Sequence, residues 1–395
     1  MISNSISLSQ KLPPPFDGYI ELKERIYNPG DTITGKVHLE LKKKLCCDIL
    51  TVKLYGSARV FFTETLTSRK PGVLTENRAY EQEIIFVDKE LALWTAPKTD
   101  KKVVQPSIDD IARMARSTSI RPMLPKPAAL EGIDSGSYNF DFSFSLPELE
   151  QYTSFDSRGA AGCVRYFILL QATRDGMVAF KKKHLFPVVV PVYLGENPRA
   201  SESSEVTECC NFAKGIVTAK ISLKKKGFVP GELVEGHIEI QNGSKESIKT
   251  ASLRIVQNTD AISKRPEVEI KSTSFETSGV GLPIHKVSSG QTYTYPIQYY
   301  IPAIVPNFEI PACMKVDYNL VLTLGRDRNH INRGFLTLKV PIFIGTHPTT
   351  IRGPGKVRPE EYHSMVPSAP PAYFEDGFHS VFSAYLPSYS EAVGG

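Results

Sequence analysis

Several residue types and patterns that would indicate particular classes of protein are scarce in this chain. It contains one tryptophan and six cysteines in 395 residues, and no cysteine pair has C-x-x-C spacing. We therefore expect reduced thiols rather than a disulfide scaffold. The most apolar run, 185–194, contains two prolines and is too short to span a bilayer. Because the N-terminus also lacks a basic segment followed by an apolar one, the sequence predicts a cytoplasmic protein without a signal peptide.

Patterns typical of enzymes and of nucleic-acid-binding proteins are missing as well. The motifs G-x-S-x-G, H-E-x-x-H, G-x-G-x-x-G and D-x-D-x-D-G do not occur, and the eight histidines are scattered. We therefore expect no enzymatic activity, no cofactor and no metal site, and a hydrolase is only a formal alternative. The net charge of +5 is small for this length, and basic residues do not alternate with aromatic ones. Nucleic acid is accordingly not an expected partner.

What the chain does contain is a recurring alternation of apolar and polar residues, as in Gly35–Leu41 and Tyr138–Phe144. A period of two is typical of β-strands with one solvent-exposed face. The fold class predicted from this pattern is all-β, with antiparallel β-sandwiches. Further candidate strands lie at 49–63, 79–88, 163–174, 184–193, 213–224, 233–242, 247–257, 291–300, 314–325 and 335–344.

An internal repeat divides the chain into two similar halves. The segment Tyr27–Leu39 reappears 201 positions later as Phe228–Ile240, with the aromatic residue, Pro-Gly, acid, second glycine and alternating apolar positions in register. Pro-Gly predicts a turn between strands, and the second glycine suits a bulge or a close approach of two backbones. The repeat therefore predicts two homologous β-sandwiches in tandem.

These patterns also set the expected domain boundaries. We predict one domain at 15–194, a linker at 195–208 and a second domain at 209–346. Residues 95–135, rich in lysine, proline and alanine, are expected to form a solvated insertion with one candidate helix. The remainder, 347–395, is rich in proline, serine and tyrosine, and we expect a disordered tail.

The order and spacing of several motifs resemble the α-arrestins, the arrestin domain-containing proteins. The resemblance rests on the paired Pro-Gly segments, on Ser154-Phe155 followed by Gly162–Tyr166, and on Cys209-Cys210 at the start of the second half. It covers roughly residues 15–346. It implies immunoglobulin-like arrestin N- and C-domains without catalytic activity. We carry over no phosphate-sensing switch, because the buried salt bridges of the visual and β-arrestins are not matched to positions here.

The resemblance also implies a function. Members of the family are adaptors that join membrane receptor or transporter cargo to WW-domain ubiquitin ligases of the HECT class, and they promote endocytosis and endosomal sorting. We would then expect recruitment from the cytoplasm to the plasma membrane and endosomes. The alternative is a ligase-independent sorting scaffold that resembles retromer, in which the tail has no role.

The tail carries two candidate WW-domain ligands. Pro370-Pro371-Ala372-Tyr373 fits P-P-x-Y, in which a polyproline II segment lays its prolines across an aromatic groove and the tyrosine fills a neighbouring pocket. Leu386-Pro387-Ser388-Tyr389 fits L-P-x-Y, which keeps one proline and the tyrosine and is expected to bind more weakly. Together they predict a binding site for a WW-domain ligase.

A second motif overlaps the first. Pro367-Ser368-Ala369-Pro370 fits P-S/T-A-P, which resembles ligands of the ubiquitin-variant domain of ESCRT-I. Because Pro370 belongs to both motifs, we expect ligase and ESCRT-I to compete at this point. The alternative is a chance P-x-x-P within a proline cluster.

Lysine triplets and cysteine pairs complete the candidates. The triplets at 42–44, 181–183 and 224–226 are either solvated strand ends or a basic surface for an anionic membrane or an acidic cargo tail. The pairs Cys46-Cys47 and Cys209-Cys210 are either small apolar residues at strand ends or acylation sites. Zinc is disfavoured because the pairs lack ligand spacing.

Overall fold

The computed structural model describes residues 15–66, 76–97, 131–157, 161–282, 286–326 and 334–348. Two compact units account for them. The first contains the described residues up to Arg59, together with Glu83–Asp156 and Cys163–Val190. The second contains Val60–Gln82, Ser157–Gly162 and the described residues from Pro191 onward. The predicted helix within 95–135 and the predicted disordered tail lie largely or wholly outside the described residues.

Eight strands form two sheets that lie mostly in the first unit; their residues Val60–Leu66 and Glu76–Gln82 belong to the second. One sheet has the order β1-β2-β5, and the other has the order β4-β3-β7-β6 with β8 also paired to β7. The pairings of β1 with β2, β2 with β5, β6 with β7 and β7 with β8 are antiparallel. The strands are β1 (Phe16–Leu22), β2 (Thr32–Leu41), β3 (Ile49–Leu66), β4 (Glu76–Thr95), β5 (Gly136–Ser145), β6 (Phe155–Asp156), β7 (Gly162–Arg174) and β8 (Met177–Phe186).

Ten further strands form the two sheets of the second unit. They are β9 (Ser204–Phe212), β10 (Gly215–Leu223), β11 (Gly227–Phe228), β12 (Gly236–Asn242), β13 (Thr250–Ile262), β14 (Ile270–Gly281), β15 (Thr292–Pro296), β16 (Phe308–Ile310), β17 (Met314–Gly325) and β18 (Leu336–Ile344). One sheet has the order β15-β12-β10-β9, and the other has the order β11-β18-β17-β13-β14 with β16 on β17. The prediction of an all-β fold built from antiparallel sandwiches is confirmed.

Alternating side chains form the core of each unit. Along β7, every second residue from Val164 to Leu170 is at most 1% exposed, while the residues between them are half-buried. Along β18, Leu338 and Val340 are fully buried in the same alternating way. Burying one such side chain contributes about 1.5–3 kcal/mol to stability. The period of two in the sequence thus corresponds to the inner faces of the sheets.

The repeated Pro-Gly segment forms the same turn in both units. Gly30 and Gly231 have φ values of 86° and 84°, a conformation that glycine adopts without steric cost. Asp31 N donates to Asn28 O across the first turn, and Asn28 N donates to Asp31 Oδ2 at 2.7 Å. The acid of the second copy, Glu232, accepts from the backbone in the same way. The acid therefore recurs because it closes the turn.

The second glycine of each repeat lies where two backbones approach closely. A Cβ atom on Gly35 would lie 2.5 Å from Glu21 O, and one on Gly236 would lie 2.3 Å from Ser222 O. Contacts this short would force the neighbouring strand to move. The expected close approach is confirmed in both copies.

Some strands differ from the predicted ones. The candidate strand 184–193 overlaps only the end of β8, which begins at Met177 and ends at Phe186. The strand ends there because Pro187 and Pro191 have no N–H to donate to a ladder. The sequence pattern missed β9 and β14, which lie at sheet edges and are mostly exposed. An edge strand needs no apolar face, so its residues give little periodic signal.

The segment at 195–208, predicted as a linker, contains short regular elements. A 3-10 helix at Leu194–Glu196 is followed by α1 (Pro198–Ser201), and β9 begins at Ser204. Asn197 caps α1 by accepting from Arg199 N at 3.1 Å. Across the described ranges, no helix has the length and apolarity needed to cross a bilayer.

Candidate functional site

The residues predicted to bind partners through the tail all lie outside the described part of the chain. They are Pro370, Pro371, Tyr373, Leu386, Pro387 and Tyr389 for the WW domain, and Pro367, Ser368, Ala369 and Pro370 for ESCRT-I. The described residues instead define where the tail begins and which charged surfaces the folded units carry.

The last described residues are fixed to the second unit next to Leu194. Thr346 Oγ1 accepts from Val192 N at 2.7 Å, and Leu194 N donates to His347 O at 3.1 Å. The His347 ring stacks on Tyr193 with centroids 4.4 Å apart. Burial in this contact lowers the pKa of His347, so the ring is neutral at pH 7. The segment with the predicted ligands thus follows directly after a well-anchored pair of residues.

The lysines at 224–226 are each paired with a glutamate. Lys224 Nζ lies 2.7 Å from Glu235, Lys226 Nζ lies 3.0 Å from Glu202, and Lys225 is bonded to Glu232. The bond from Lys224 lowers the pKa of Glu235. The charges of this triplet are locally balanced, which disfavours a basic docking surface here.

The other two triplets belong to the first unit, and their lysines are solvent-exposed, with 42% of the Lys44 side chain and 49% of the Lys182 side chain accessible. Lys44 pairs with Asp134 at 3.2 Å, and Lys182 lies 3.8 Å from Asp17. Within the described ranges, no carboxylate oxygen lies within 4.0 Å of the Nζ atoms of Lys42, Lys43 or Lys181. These two triplets therefore retain more positive charge than the third.

Lys183 is part of a cluster on the outer face of the five-stranded sheet. Its Nζ lies 3.6 Å from the centre of the Phe167 ring, which is 5.1 Å from the Tyr55 ring. Tyr55 Oη and Ser57 Oγ both donate to Glu83 Oε1, at 3.0 and 2.8 Å. Burial, reinforced by the Glu83 charge, raises the pKa of Tyr55 to about 12. The phenol therefore stays protonated and acts as a donor rather than a nucleophile.

A charged pair lies beside this cluster, between β6 and β7. Arg165 Nε and Nη2 approach Asp156 Oδ1 at 2.9 and 2.8 Å. Burial raises the pKa of Asp156, while Arg165 acts in the opposite direction. Burial also raises the pKa of Cys163, and burial followed by the Arg165 charge lowers the pKa of Lys183. Sequence reasoning missed both the cluster and the pair, because their members come from five different strands.

One row of residues in the second unit has the composition of a catalytic triad but a different order. Ser222 is paired with Glu205 on one neighbouring strand and with His237 on the other. Ser222 Oγ donates to Glu205 Oε2 at 3.4 Å. In a triad the histidine stands between the acid and the nucleophile, whereas here serine holds the central place. The row therefore does not provide a general base for Ser222.

The cysteine pairs differ from one another in burial. Cys47 is fully buried, and burial raises the pKa of its thiol, as expected for a small core residue. Cys209 is exposed, and Cys46 and Cys210 are half-buried. Among the described residues, no cluster of three or more His, Cys, Asp and Glu side chains is arranged to hold a metal ion.

Comparison with protein families identifies both halves. Residues 16–106 match the model of the arrestin (or S-antigen) N-terminal domain, and residues 213–349 match that of the arrestin (or S-antigen) C-terminal domain. Two such domains in one chain define an arrestin-fold protein. The chain belongs to the arrestin family, within the α-arrestins.

Similar proteins cover most of the chain. Human arrestin domain-containing protein 4 is 25% identical over 385 residues, which is 92% of this chain and 81% of that protein. Human arrestin domain-containing protein 5 is 25% identical over 338 residues, covering 82% and 85%. Protein ttm-2 of Caenorhabditis elegans is 24% identical over 328 residues, covering 82% and 88%. Family membership supports a role as an adaptor or trafficking scaffold.

Proposed function

We propose that this protein links membrane-protein cargo to WW-domain HECT ubiquitin ligases, so that the cargo is ubiquitinated, endocytosed and sorted in endosomes. The observation that carries the proposal is the combination of an arrestin-family fold with a P-P-x-Y and an L-P-x-Y segment in the residues that follow it. The folded units supply the cargo surface, and the tail supplies Pro370, Pro371 and Tyr373, assisted by Pro387 and Tyr389.

The position of the motifs suits a tether. Pro348, the last described residue, and Pro370 are 22 positions apart, and the disordered tail that the sequence predicts would have an r.m.s. span of roughly 25 Å over that length. A ligase held at this distance has an effective concentration in the millimolar range at the cargo. Two motifs 16 positions apart also allow tandem WW domains to bind together.

The cargo, on this proposal, is a receptor or transporter, and the protein moves from the cytoplasm to the plasma membrane and endosomes to meet it. The alternative function is ligase-independent sorting by the two arrestin domains. Its support is the family match itself, which covers the folded units and not the tail motifs.

Removing the tail separates these two functions. A chain ending at Pro348 is expected to lose WW-domain binding and ubiquitination of its cargo, because the anchoring contacts of Thr346 and His347 remain while both ligands are absent. The measurement is ubiquitin incorporation into cargo in cells that express the full or the shortened chain. Unchanged ubiquitination with the shortened chain would favour the ligase-independent scaffold.

The overlap of the two tail motifs leads to a second expectation. ESCRT-I and a WW domain should exclude each other on a peptide of residues 364–378, since both require Pro370. Pro367→Ala should weaken only the ESCRT-I domain, and Tyr373→Ala should weaken only the WW domain. Competition is measured by displacement of a labelled WW domain. A ternary complex on this peptide would show that the motifs do not compete.

On the full chain, the second WW motif changes the outcome. Leu386, Pro387 and Tyr389 should hold the ligase while ESCRT-I occupies the first site, so displacement is incomplete. Complete displacement from the full chain by the ESCRT-I domain would indicate that the L-P-x-Y segment contributes no binding.

A further inference from the structure

Two lysine triplets that are almost 140 positions apart in the sequence meet at the start of β1. Lys42 N donates to Pro15 O at 3.1 Å. Lys43 Nζ lies 5.5 Å from the centre of the Phe16 ring. The second triplet contacts the same segment, because Lys182 Nζ lies 3.8 Å from Asp17 Oδ1. Three consecutive residues thus contact both triplets, although no sequence pattern places the two triplets together.

The charge of this region is only partly balanced. Within the described ranges, the carboxylates that pair with the two triplets are Asp134 on Lys44 and Asp17 on Lys182. In the third triplet every lysine has its own glutamate. Lys183 lies over the Phe167 ring, so Lys42, Lys43 and Lys181 are the lysines of the two triplets that keep an unbalanced charge, whereas the Lys224–Lys226 region has none.

An exposed apolar hairpin tip lies in the same part of the first unit. Asp175 and Gly176, with φ values of 50° and 77°, form the turn between β7 and β8. The two residues that follow, Met177 and Val178, are 74% and 52% exposed. Asp48 fixes the turn by accepting from Asp175 N at 2.6 Å and donating its own N–H to Thr173 O at 2.8 Å.

The tip is within reach of the lysines along the chain. Asp48, which fixes the tip, follows Lys44 by four residues, and Met177 precedes Lys181 by four. The Cα atoms of each of these two pairs are therefore at most about 14 Å apart. An exposed apolar tip with exposed lysines four residues away along the chain combines the two attractions that peripheral membrane proteins use together, namely apolar insertion and contact with anionic headgroups.

We propose that Lys42, Lys43, Lys181, Met177 and Val178, named here the lysine-methionine surface, bind the first unit to membranes rich in anionic phospholipid. Met177 and Val178 enter the interface between headgroups and acyl chains, and the lysines contact phosphate and carboxylate groups. An acidic peptide would need the lysines but would leave the apolar pair without a role, which favours the lipid surface. The inference uses no residue of the tail and is independent of ligase binding.

The test is binding of the full chain to phosphatidylcholine vesicles with and without phosphatidylserine, measured by co-sedimentation. Binding should require phosphatidylserine. A triple variant with Lys42→Glu, Lys43→Glu and Lys181→Glu should bind at least roughly 100-fold more weakly, since each lysine near an anionic surface contributes about fivefold. A matched control changes Lys245, Lys249 and Lys264 to Glu; these are exposed lysines of the second unit.

The control should retain binding within about twofold, although its net charge is the same as that of the triple variant. A second variant with Met177→Ser and Val178→Ser keeps the charge and should lose the part of the binding that persists in high salt. The proposal is overturned if the triple variant binds like the wild type, or if the control loses as much. It is also overturned if the full chain does not bind phosphatidylserine vesicles, whether or not it binds a polyglutamate peptide through the same lysines.

Discussion

A full chain in which Tyr373 and Tyr389 are both replaced by alanine is expected to bind ligase WW domains at least about 100-fold more weakly than the wild type. In each motif the tyrosine is the side chain that fills a pocket, and removing such an anchor costs about 2–4 kcal/mol. Losing both motifs also removes the gain from binding two WW domains at once, which is about 10²–10⁴-fold. Tyr373→Ala alone should cost more than Tyr389→Ala alone, because only the first motif has two prolines.

The measurement is titration of a panel of tandem and single WW domains by isothermal calorimetry. A matched control, Tyr362→Ala with Phe378→Ala, removes two aromatic residues of the same tail from positions outside either motif. It should bind like the wild type. Undiminished binding by the Tyr373/Tyr389 variant would contradict the ligase-adaptor proposal and favour the sorting scaffold.

The repeated Pro-Gly segment shows what could be predicted from sequence alone. Its features are local: a proline and a glycine set the turn, an acid closes it, and a second glycine avoids a Cβ that would lie less than 3 Å from a backbone oxygen of the adjacent strand. Since each constraint acts on neighbouring residues or on the adjacent strand, the pattern survives in both copies. The fold class and the tandem arrangement of the two domains could therefore be predicted from the sequence.

The lysine triplets show what could not be predicted. All three are identical in sequence, yet one is balanced lysine by lysine by Glu202, Glu232 and Glu235, and the other two come together at Pro15–Asp17. Partner carboxylates come from other segments of the chain, most of them loops, so the triplet itself does not determine the net charge of the surface. Only the strand pairings distinguish a solvated edge from a candidate docking surface.

The same limit applies to the Asp156–Arg165 pair. Arg165 lies in the Gly162–Tyr166 segment that supported the family resemblance, but its partner lies on the short strand β6 and is brought to it by the pairing of Phe155 with Val164. A two-residue strand has no detectable period. The tertiary pairing, rather than the motif, determines that this arginine is neutralised.

The largest loss of stability is expected from a change at Asn242. Its side chain is buried, and all four of its hydrogen-bonding positions are used. Nδ2 donates to Glu246 O and Val287 O, both at 2.8 Å, and Oδ1 accepts from Ser244 N and Ser244 Oγ. Asn242 and Ser244 fit a glycosylation sequon in the sequence, but the structure shows an internal brace between the end of β12 and two neighbouring segments.

Asn242→Asp preserves the shape of the side chain but replaces two donors with an acceptor that faces carbonyl oxygens. The free energy of unfolding should fall by about 3 kcal/mol or more at pH 7, because a charge is buried without a partner. Burial raises the pKa of the new carboxyl above its unfolded value of about 3.9, so its neutral form fits the site better. The loss relative to wild type should therefore shrink as the pH is lowered from 7 to 5.

Denaturant unfolding of the full chain at both pH values provides the measurement. The matched control is Asn211→Asp, the same change at an exposed position of β9, which should alter stability by less than about 0.5 kcal/mol. If Asn242→Asp were no more destabilising than this control, the brace would contribute little to the second unit. A loss that grew as the pH fell would contradict the assignment of buried donors to Nδ2, since a protonated carboxyl restores one of the two hydrogen bonds that the substitution removes.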